Sequence, residues 1–383
     1  LEQATGFFIL TGGIKVQISL RTMVPAIVVE PTMIFAHPTC ASDVFTPKVE
    51  RLYLPAEEVV PAVPVEIEVK TKYTWNIGTK SWKWKLFERV MRVRQHNQAL
   101  DYEGHFIFDA RYETDKNIAH ILENVCTNVL LAKQHLSEYL NRPVEINVVL
   151  KENVSELARD LFDTLGIPTL CTNFEVYGDI VDVIHNPHYR LYGVEAELFN
   201  LEFKNYERDT PDRVFIARRG SRQLINNDEV IKFLAQKGFT TYYFEDLTAS
   251  EKWSIARNAK VAVAVHGAGT GNFIFNRSGL APQAEKESGL RIIELFSPSF
   301  TIHTYRQFSA ILNGRWCGVR GQITPEVLRY LDFDSTPRDT LKSPIRDPFK
   351  VDLSTLQMAL DYLEVDVVEP PKEKLVYSVH SGV

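Results

Sequence analysis

Apolar positions along this chain alternate between two periods. Ile118 to His135 carries them at 118, 121, 122, 125, 129, 130 and 131, the spacing of one helical face, with Thr114 or Asp115 able to cap its start. Val154 to Leu165 reads as a second amphipathic helix, stopped by Gly166-Ile167-Pro168. Strand candidates His105–Phe108 and Glu145–Leu150 stand beside them. After a polar stretch at 201–212 the alternation resumes. Strand Arg213–Ala217, helix 226–237, strand 239–244, helix 248–258 and strand 261–265 follow in order, with a later strand at Arg291–Leu295 and a helix at Leu353–Leu363. Strands alternating with helices predict an α/β protein.

The first 90 residues differ. Short β runs such as Ala26–Val29 and Val65–Val69 are broken by prolines at 25, 31, 38, 47, 55, 61 and 64. The division expected is a β-rich elaboration at 1–90, an acceptor-side Rossmann-like domain at 91–205, a second such domain at 206–345, and a helix and tail at 346–383 that could return to the first domain.

A chain of 383 residues can hold two sizeable cores, and 45% hydrophobic with 24% charged residues is ordinary for a globular protein. The net charge of −6 argues against a nucleic-acid partner but leaves room for a local basic patch. Cys40, Cys126, Cys171 and Cys317 form no CxxC pair and read as buried free thiols, and no three-ligand metal set emerges. No apolar run approaches the ~18 residues of a membrane span. The first residue is Leu1, so a signal or anchor in a longer chain stays open, as does peripheral membrane association. Asn153-Val154-Ser155 and Asn276-Arg277-Ser278 fit the glycosylation rule. Trp75, Trp82 and Trp84, interleaved with Lys80, Lys83 and Lys85, suit either sugar stacking or a packed edge with snorkelling lysines.

Candidate chemistry concentrates at two sheet edges. The strand at 261–265 empties into His266-Gly267-Ala268-Gly269-Thr270-Gly271-Asn272, a loop able to present backbone N–H groups to a phosphate. It is neither a Walker A loop nor a complete GxGxxG. Arg218, Arg219 and Arg222 follow the strand at 213–217, and forked guanidinium donors suit a diphosphate, the alternative being a solvated basic loop. Asn226 or Asn227 reads as a helix cap, Thr248-Ala249-Ser250-Glu251 as a capping box, and Glu245-Asp246 as either ribose-facing or solvent-facing. Upstream, Asp115, His120 and Glu123 supply a candidate general base, with His120 first because imidazole titrates near ~6.5. A satisfied core histidine is the competing reading of His120.

These residues resemble a known family. Phe215-Ile216-Ala217-Arg218-Arg219-Gly220-Ser221-Arg222, Asn226-Asn227, Gly238-Phe239, the stretch from Leu247 to Ala259, Val265 to Asn272 and Ile293-Glu294-Leu295 look like the core of glycosyltransferase family 61, also described as the DUF563 domain. Asn117 to Glu123 is similar to that family's histidine-containing helix, with Ile121 where an aromatic is usual. Thr270 and Gly271 depart from the Leu and Thr common in the family.

The resemblance implies a GT-B-like pair of Rossmann-type domains and an inverting, metal-independent transfer from a nucleotide-sugar, with UDP the expected carrier, as in polysaccharide biosynthesis. It places the donor on Arg218, Arg222, His266, Gly267, Ala268, Gly269, Thr270, Gly271 and Asn272, with Glu294 binding ribose or orienting the loop. The acceptor is a hydroxyl of a glycan, glycolipid or protein-linked sugar, and no further cofactor is required. The compartment implied is the cytoplasmic face of the inner membrane in a bacterium or the secretory lumen in a eukaryote. Alternatives are an epimerase or sugar-phosphate transferase with the same phosphate apparatus, or a catalytically silent glycan-binding protein.

Overall fold

The computed structural model describes residues 17–24, 27–36, 50–60, 63–74, 99–113, 115–185, 209–280, 289–298, 304–322 and 347–364. The tryptophan cluster at 75–84 and Cys40 lie outside them. The chain is mixed α/β with parallel strands in both large sheets, and it divides into two compact units, one of residues 1–26 and 60–203, the other of 27–59 and 204–383.

The first unit holds a six-stranded sheet. β1 (Gln17–Val24) pairs antiparallel with β6 (Val63–Tyr73), which pairs antiparallel with β10 (Val176–Ile184). Then β7 (Leu100–Asp109), β8 (Ile146–Leu150) and β9 (Thr169–Cys171) follow in parallel. α1 (Ile118–His120) runs through a π-helical turn at Ile121–Cys126 into α2 (Thr127–Leu140). Thr127 Oγ1 donates to Leu122 O at 2.9 Å, which supports the wider turn. α3 (Glu156–Thr164) starts at Ser155, whose hydroxyl accepts the Ala158 N–H.

The second unit holds a seven-stranded sheet in the order β12 (Thr240–Tyr243), β11 (Arg213–Ala217), β13 (Val261–Val265), β14 (Arg291–Phe296), β15 (Arg315–Arg320), β3 (Thr32–Ala36), β4 (Glu50–Leu54). Every pair is parallel except β3 with β4, and β2 (Ile27–Val29) pairs with β5 (Glu57–Val60) in a separate two-stranded sheet. All five residues of β13 are buried, as a parallel strand covered on both faces requires. α4 (Asn227–Ala235) and α5 (Ala249–Asn258) connect the strands, α5 opening with the expected capping box between Thr248 and Glu251.

The described strands of the first 90 residues divide between the units, β1 and β6 in the first and β3 and β4 in the second, instead of forming one elaboration. β3 is buried at all five positions and fills the slot beside β15. Arg306, preceding α6 (Gln307–Ile311), fastens this insertion by donating from Nη2 to Glu30 O at 2.6 Å and Pro55 O at 2.5 Å. The C-terminal helix α7 (Leu353–Glu364) packs within the second unit, not on the first domain. Its Leu356, Ala359, Leu360 and Leu363 join the core of Phe35, Cys317 and Val319 and so cover that face of the sheet. Cys126 and Cys317 are buried free thiols, pushed up by burial, whereas Cys171 is exposed. No helix among the described residues is long and apolar enough to cross a membrane.

Candidate functional site

Within the second unit, β11 has the next strand of the chain, β12, on one side and β13 on the other. The connection after β11 goes to one side and the connection after β12 returns to the other, a topological switch point, and the carboxyl ends of the two strands at such a point are the usual ligand position in an open parallel sheet. The loop after β11 carries Arg218, Arg219 and Arg222, and the loop after β13 begins at His266.

The arginines separate by partner. Arg218 Nη1 donates to His266 O at 3.3 Å, and Arg222 Nη1 donates to the same carbonyl at 3.1 Å. Arg219 turns away, with Nη1 at 2.7 and 2.6 Å from the two Asp246 oxygens and its guanidinium 3.9 Å above the Tyr243 ring. Asp246 first, and Glu245 further off, raise the pKa of this exposed Arg219. Glu245 and Asp246 thus serve the arginine loop from its outer side. Gly220 (φ 69°) and Arg222 (φ 63°) both occupy the left-handed region, which folds the loop back over the strand end. For an arginine that backbone costs of order 1–3 kcal/mol, strain of the kind held at ligand sites. The Arg218 Nε is buried and meets no hydrogen-bond acceptor among the described residues.

Gly267 allows the close approach. A Cβ there would lie 1.9 Å from Arg218 Nη1, so the guanidinium rests against bare backbone. Ala268 to Phe275 form a 3-10 helix, in which Ala268 and Gly269 are partly exposed while Thr270, Gly271 and Asn272 are buried. The apolar run at 273–275 completes this helix and is buried. Asn272 Oδ1 accepts the Trp253 indole N–H at 3.0 Å and its Nδ2 donates to Gly269 O at 2.8 Å, tying the loop to α5. Thr270 Oγ1 is buried and meets no hydrogen-bond partner among the described residues.

His266 is held from below. Its Nδ1 lies 2.5 Å from Glu294 Oε1, and Trp316 Nε1 donates to Glu294 Oε2 at 3.0 Å. Glu294 has no exposed surface, and Phe296 and Tyr305 flank the imidazole with centroids at 5.3 and 5.9 Å. The Glu294 carboxylate is thus engaged by His266 on one oxygen and by Trp316 on the other. Trp316 and Tyr305 were not legible as site residues. The one signal was the carboxylate of Glu294 inside the apolar strand Arg291–Phe296, which demands a buried partner.

The other expected residues lie in the first unit. Asp115 is spent on the start of α3: its Oδ2 accepts the Ser155 N–H at 2.6 Å and its carbonyl accepts the Ser155 hydroxyl. His120 is exposed at the end of α1, and Glu123 is partly buried in the π turn. Of the two capping candidates, Asn226 caps α4 by position only. Its amide instead bonds Val351, and Asn227 Nδ2 donates to the Tyr243 hydroxyl at 2.9 Å. Among the described residues no group of three or more His, Cys, Asp or Glu side chains is placed to hold a metal ion.

The family model for glycosyltransferase 61 matches residues 104–284 of the chain, which bears out the resemblance over that stretch. No curated protein matches in sequence. Among solved structures the chain is similar to the dodecameric iron-containing heptosyltransferase TibC in complex with ADP-D-beta-D-heptose, at 10% identity over 90% of this chain and 93% of that one, with a TM-score of 0.34.

Proposed function

We propose that this chain, which carries a glycosyltransferase 61 domain over residues 104–284, moves a sugar from a UDP-linked donor to an acceptor hydroxyl with inversion at the anomeric carbon. The observation that carries the reading is the convergence of Arg218 and Arg222 on the His266 carbonyl at the β11–β13 switch point. Two guanidiniums brought together at a neutral carbonyl concentrate positive charge and forked N–H geometry at one strand end, and a diphosphate matches that pattern.

In this reading the guanidiniums, with backbone N–H groups at Gly267 to Gly269, stabilise the charge that grows on the nucleotide as the glycosidic bond breaks. Charge that develops in the transition state is where such donors count most. His266 hydrogen-bonds a phosphate or the donor sugar from the orientation that Glu294 fixes. Thr270, Gly271 and Asn272 shape the loop from inside. The acceptor hydroxyl loses its proton to a base of the first unit as its oxygen attacks. His120 is the first candidate and Glu123 the second, since Asp115 is already committed to Ser155. A GT-B-like pairing of the two units and a metal-free reaction belong to the same proposal.

The test is a thermal-shift series with UDP and UDP-sugars, with and without a chelator, on the wild type and on Arg218→Ala and Arg222→Ala. UDP should stabilise the wild type with chelator present, and each substitution should weaken UDP by about 1.5–3 kcal/mol, one charge-assisted bond. Unchanged UDP affinity in both folded variants sinks the diphosphate assignment. Interconversion of UDP-sugars without an acceptor would make the enzyme an epimerase, and glycan binding with no donor consumed would make it a silent binding protein.

A further inference from the structure

The first unit contains a cavity of about 370 Å³ that the donor site does not use, within the ~300–1,000 Å³ typical of small-molecule sites. Its polar lining comes from Lys72, Thr74, Asp109, Tyr112, Asn128 and Asp182, and its apolar walls come from Phe108 and the end of β10.

Each polar group has a defined state. Arg111 locks Asp109: its Nε and Nη2 reach the two carboxylate oxygens at 2.9 and 2.7 Å, and its other donors go to Thr74 Oγ1 and Phe174 O. Asp109 is therefore a fixed acceptor whose charge is already matched. Asp182 pairs with Lys72 at 2.8 Å, and both side chains stay about two-fifths exposed (43% and 39%), so a ligand can reach them. Asn128 is the decisive group. It is 8% exposed, its Nδ2 donates to Asn124 O at 2.8 Å, and its Oδ1 is buried without a hydrogen-bond partner among the described residues. Tyr112, 61% exposed as a residue, brings an aromatic side chain to the lining.

This lining selects for chemistry. Two carboxylates against one lysine, with Arg111 consumed by Asp109, make a poor phosphate site. A hydroxyl-rich ring fits it, because a hydroxyl donates to Asn128 Oδ1 or Asp182 and accepts from Lys72. The Tyr112 ring offers the C–H face of such a ring an apolar surface. We infer that the first unit binds one sugar ring of the acceptor in this cavity, between the Lys72–Asp182 pair, Asn128 and Tyr112. The acceptor role rests on the glycosyl-transfer reading; the sugar binding stands without it.

The experiment is saturation-transfer NMR of the whole chain with methyl glycosides of xylose, arabinose, N-acetylglucosamine, mannose and galactose, and UDP thermal shifts on the same samples. At least one glycoside should bind the wild type without nucleotide and persist when UDP is added. Its affinity should fall about tenfold or more in Asp182→Ala and Asn128→Leu, the loss of a hydrogen bond to a charged or buried group. Tyr112 and Asp182 sit at exposed or half-exposed positions, so Tyr112→Ala and Asp182→Ala keep the readout independent of folding should Asn128→Leu destabilise the unit. No glycoside signal, a signal unchanged in both Tyr112→Ala and Asp182→Ala, or displacement by UDP overturns the pocket. UDP stabilisation without glycoside binding leaves the transfer reading standing alone; glycoside binding without UDP stabilisation does the reverse.

Discussion

Gly267 and Arg218 are packed so that no methyl group fits between them: a Cβ on Gly267 would sit 1.9 Å from Nη1 of the guanidinium. Gly267 has φ 160° and ψ −177°, an extended backbone open to any residue, so its role lies in the contact and not in its own conformation. Gly267→Ala should leave the fold intact and push the Arg218 side chain off the His266 carbonyl. UDP affinity should then fall by about 1.5–3 kcal/mol, as in Arg218→Ala, and the double variant should lose little more than either single. Calorimetric titration of UDP against the three variants checks this. Additive losses would show that Gly267 acts on the ligand by another route.

Glu294 serves two donors, His266 and Trp316, and the two contacts can be told apart. Glu294→Ala removes the acceptor of both His266 Nδ1 and Trp316 Nε1, and each buried polar group left unsatisfied costs about 1–3 kcal/mol. Trp316→Phe breaks only the second contact and leaves the His266–Glu294 pair in place. Urea unfolding should therefore rank Glu294→Ala as the more damaging, and transfer activity should survive better in Trp316→Phe. Equal stability of Glu294→Ala and wild type would mean the buried carboxylate holds nothing.

Much of the second unit was legible because its strands announce themselves. Arg213–Ala217 and Val261–Val265 are short apolar runs with buried faces on both sides, and the structure keeps both bounds. The arginine and glycine loops follow directly from being next in the chain. What stayed hidden depends on pairing between distant segments. Nothing in Thr32–Ala36 says that it runs beside Arg315–Arg320, since a fully buried strand carries no address for its neighbour. The register that sets Ala264 opposite Glu294 and Glu294 opposite Gly318 likewise exists only once the strand order is known. The cavity of the first unit was invisible for the same reason: Lys72 and Asp182 stand 110 positions apart.

The two glycosylation sequons should behave differently. Asn276 is 5% exposed, and its Nδ2 donates to Ala256 O at 2.6 Å and Ala259 O at 2.7 Å. A glycan there would have to displace bonds that close α5 against the sheet. Asn153 is exposed in the turn before α3. Expressed in a secretory host, the folded chain should carry glycan at Asn153 or at neither site. Glycopeptide mass spectrometry reads this directly, and occupancy at Asn276 in folded protein would contradict the described packing.

The C-terminal helix is fastened at both ends, and Asn226 is the fastening that can be cut cleanly. Its Nδ2 donates to Val351 O at 2.8 Å and its Oδ1 accepts the Val351 N–H at 3.1 Å, so one buried side chain satisfies both backbone groups of the residue leading into α7. Leu224 and Phe349 extend the contact as an isolated parallel bridge. At the far end Arg315 donates to Leu363 O at 3.1 Å and Tyr362 O at 3.0 Å, closing the last turn. Asn226→Ala strands a buried N–H and a buried C=O at about 1–3 kcal/mol each, and Asn226→Asp keeps the acceptor but sets a buried carboxylate oxygen against the Val351 carbonyl and Glu229. Hydrogen exchange should accelerate across residues 349–364 in both variants and change least in α5, which does not depend on the anchor. Because Asn226 closes the arginine loop that begins at Arg218, UDP binding should weaken together with helix protection. Helix release with undiminished UDP affinity would show that the loop holds its shape without the C-terminal segment.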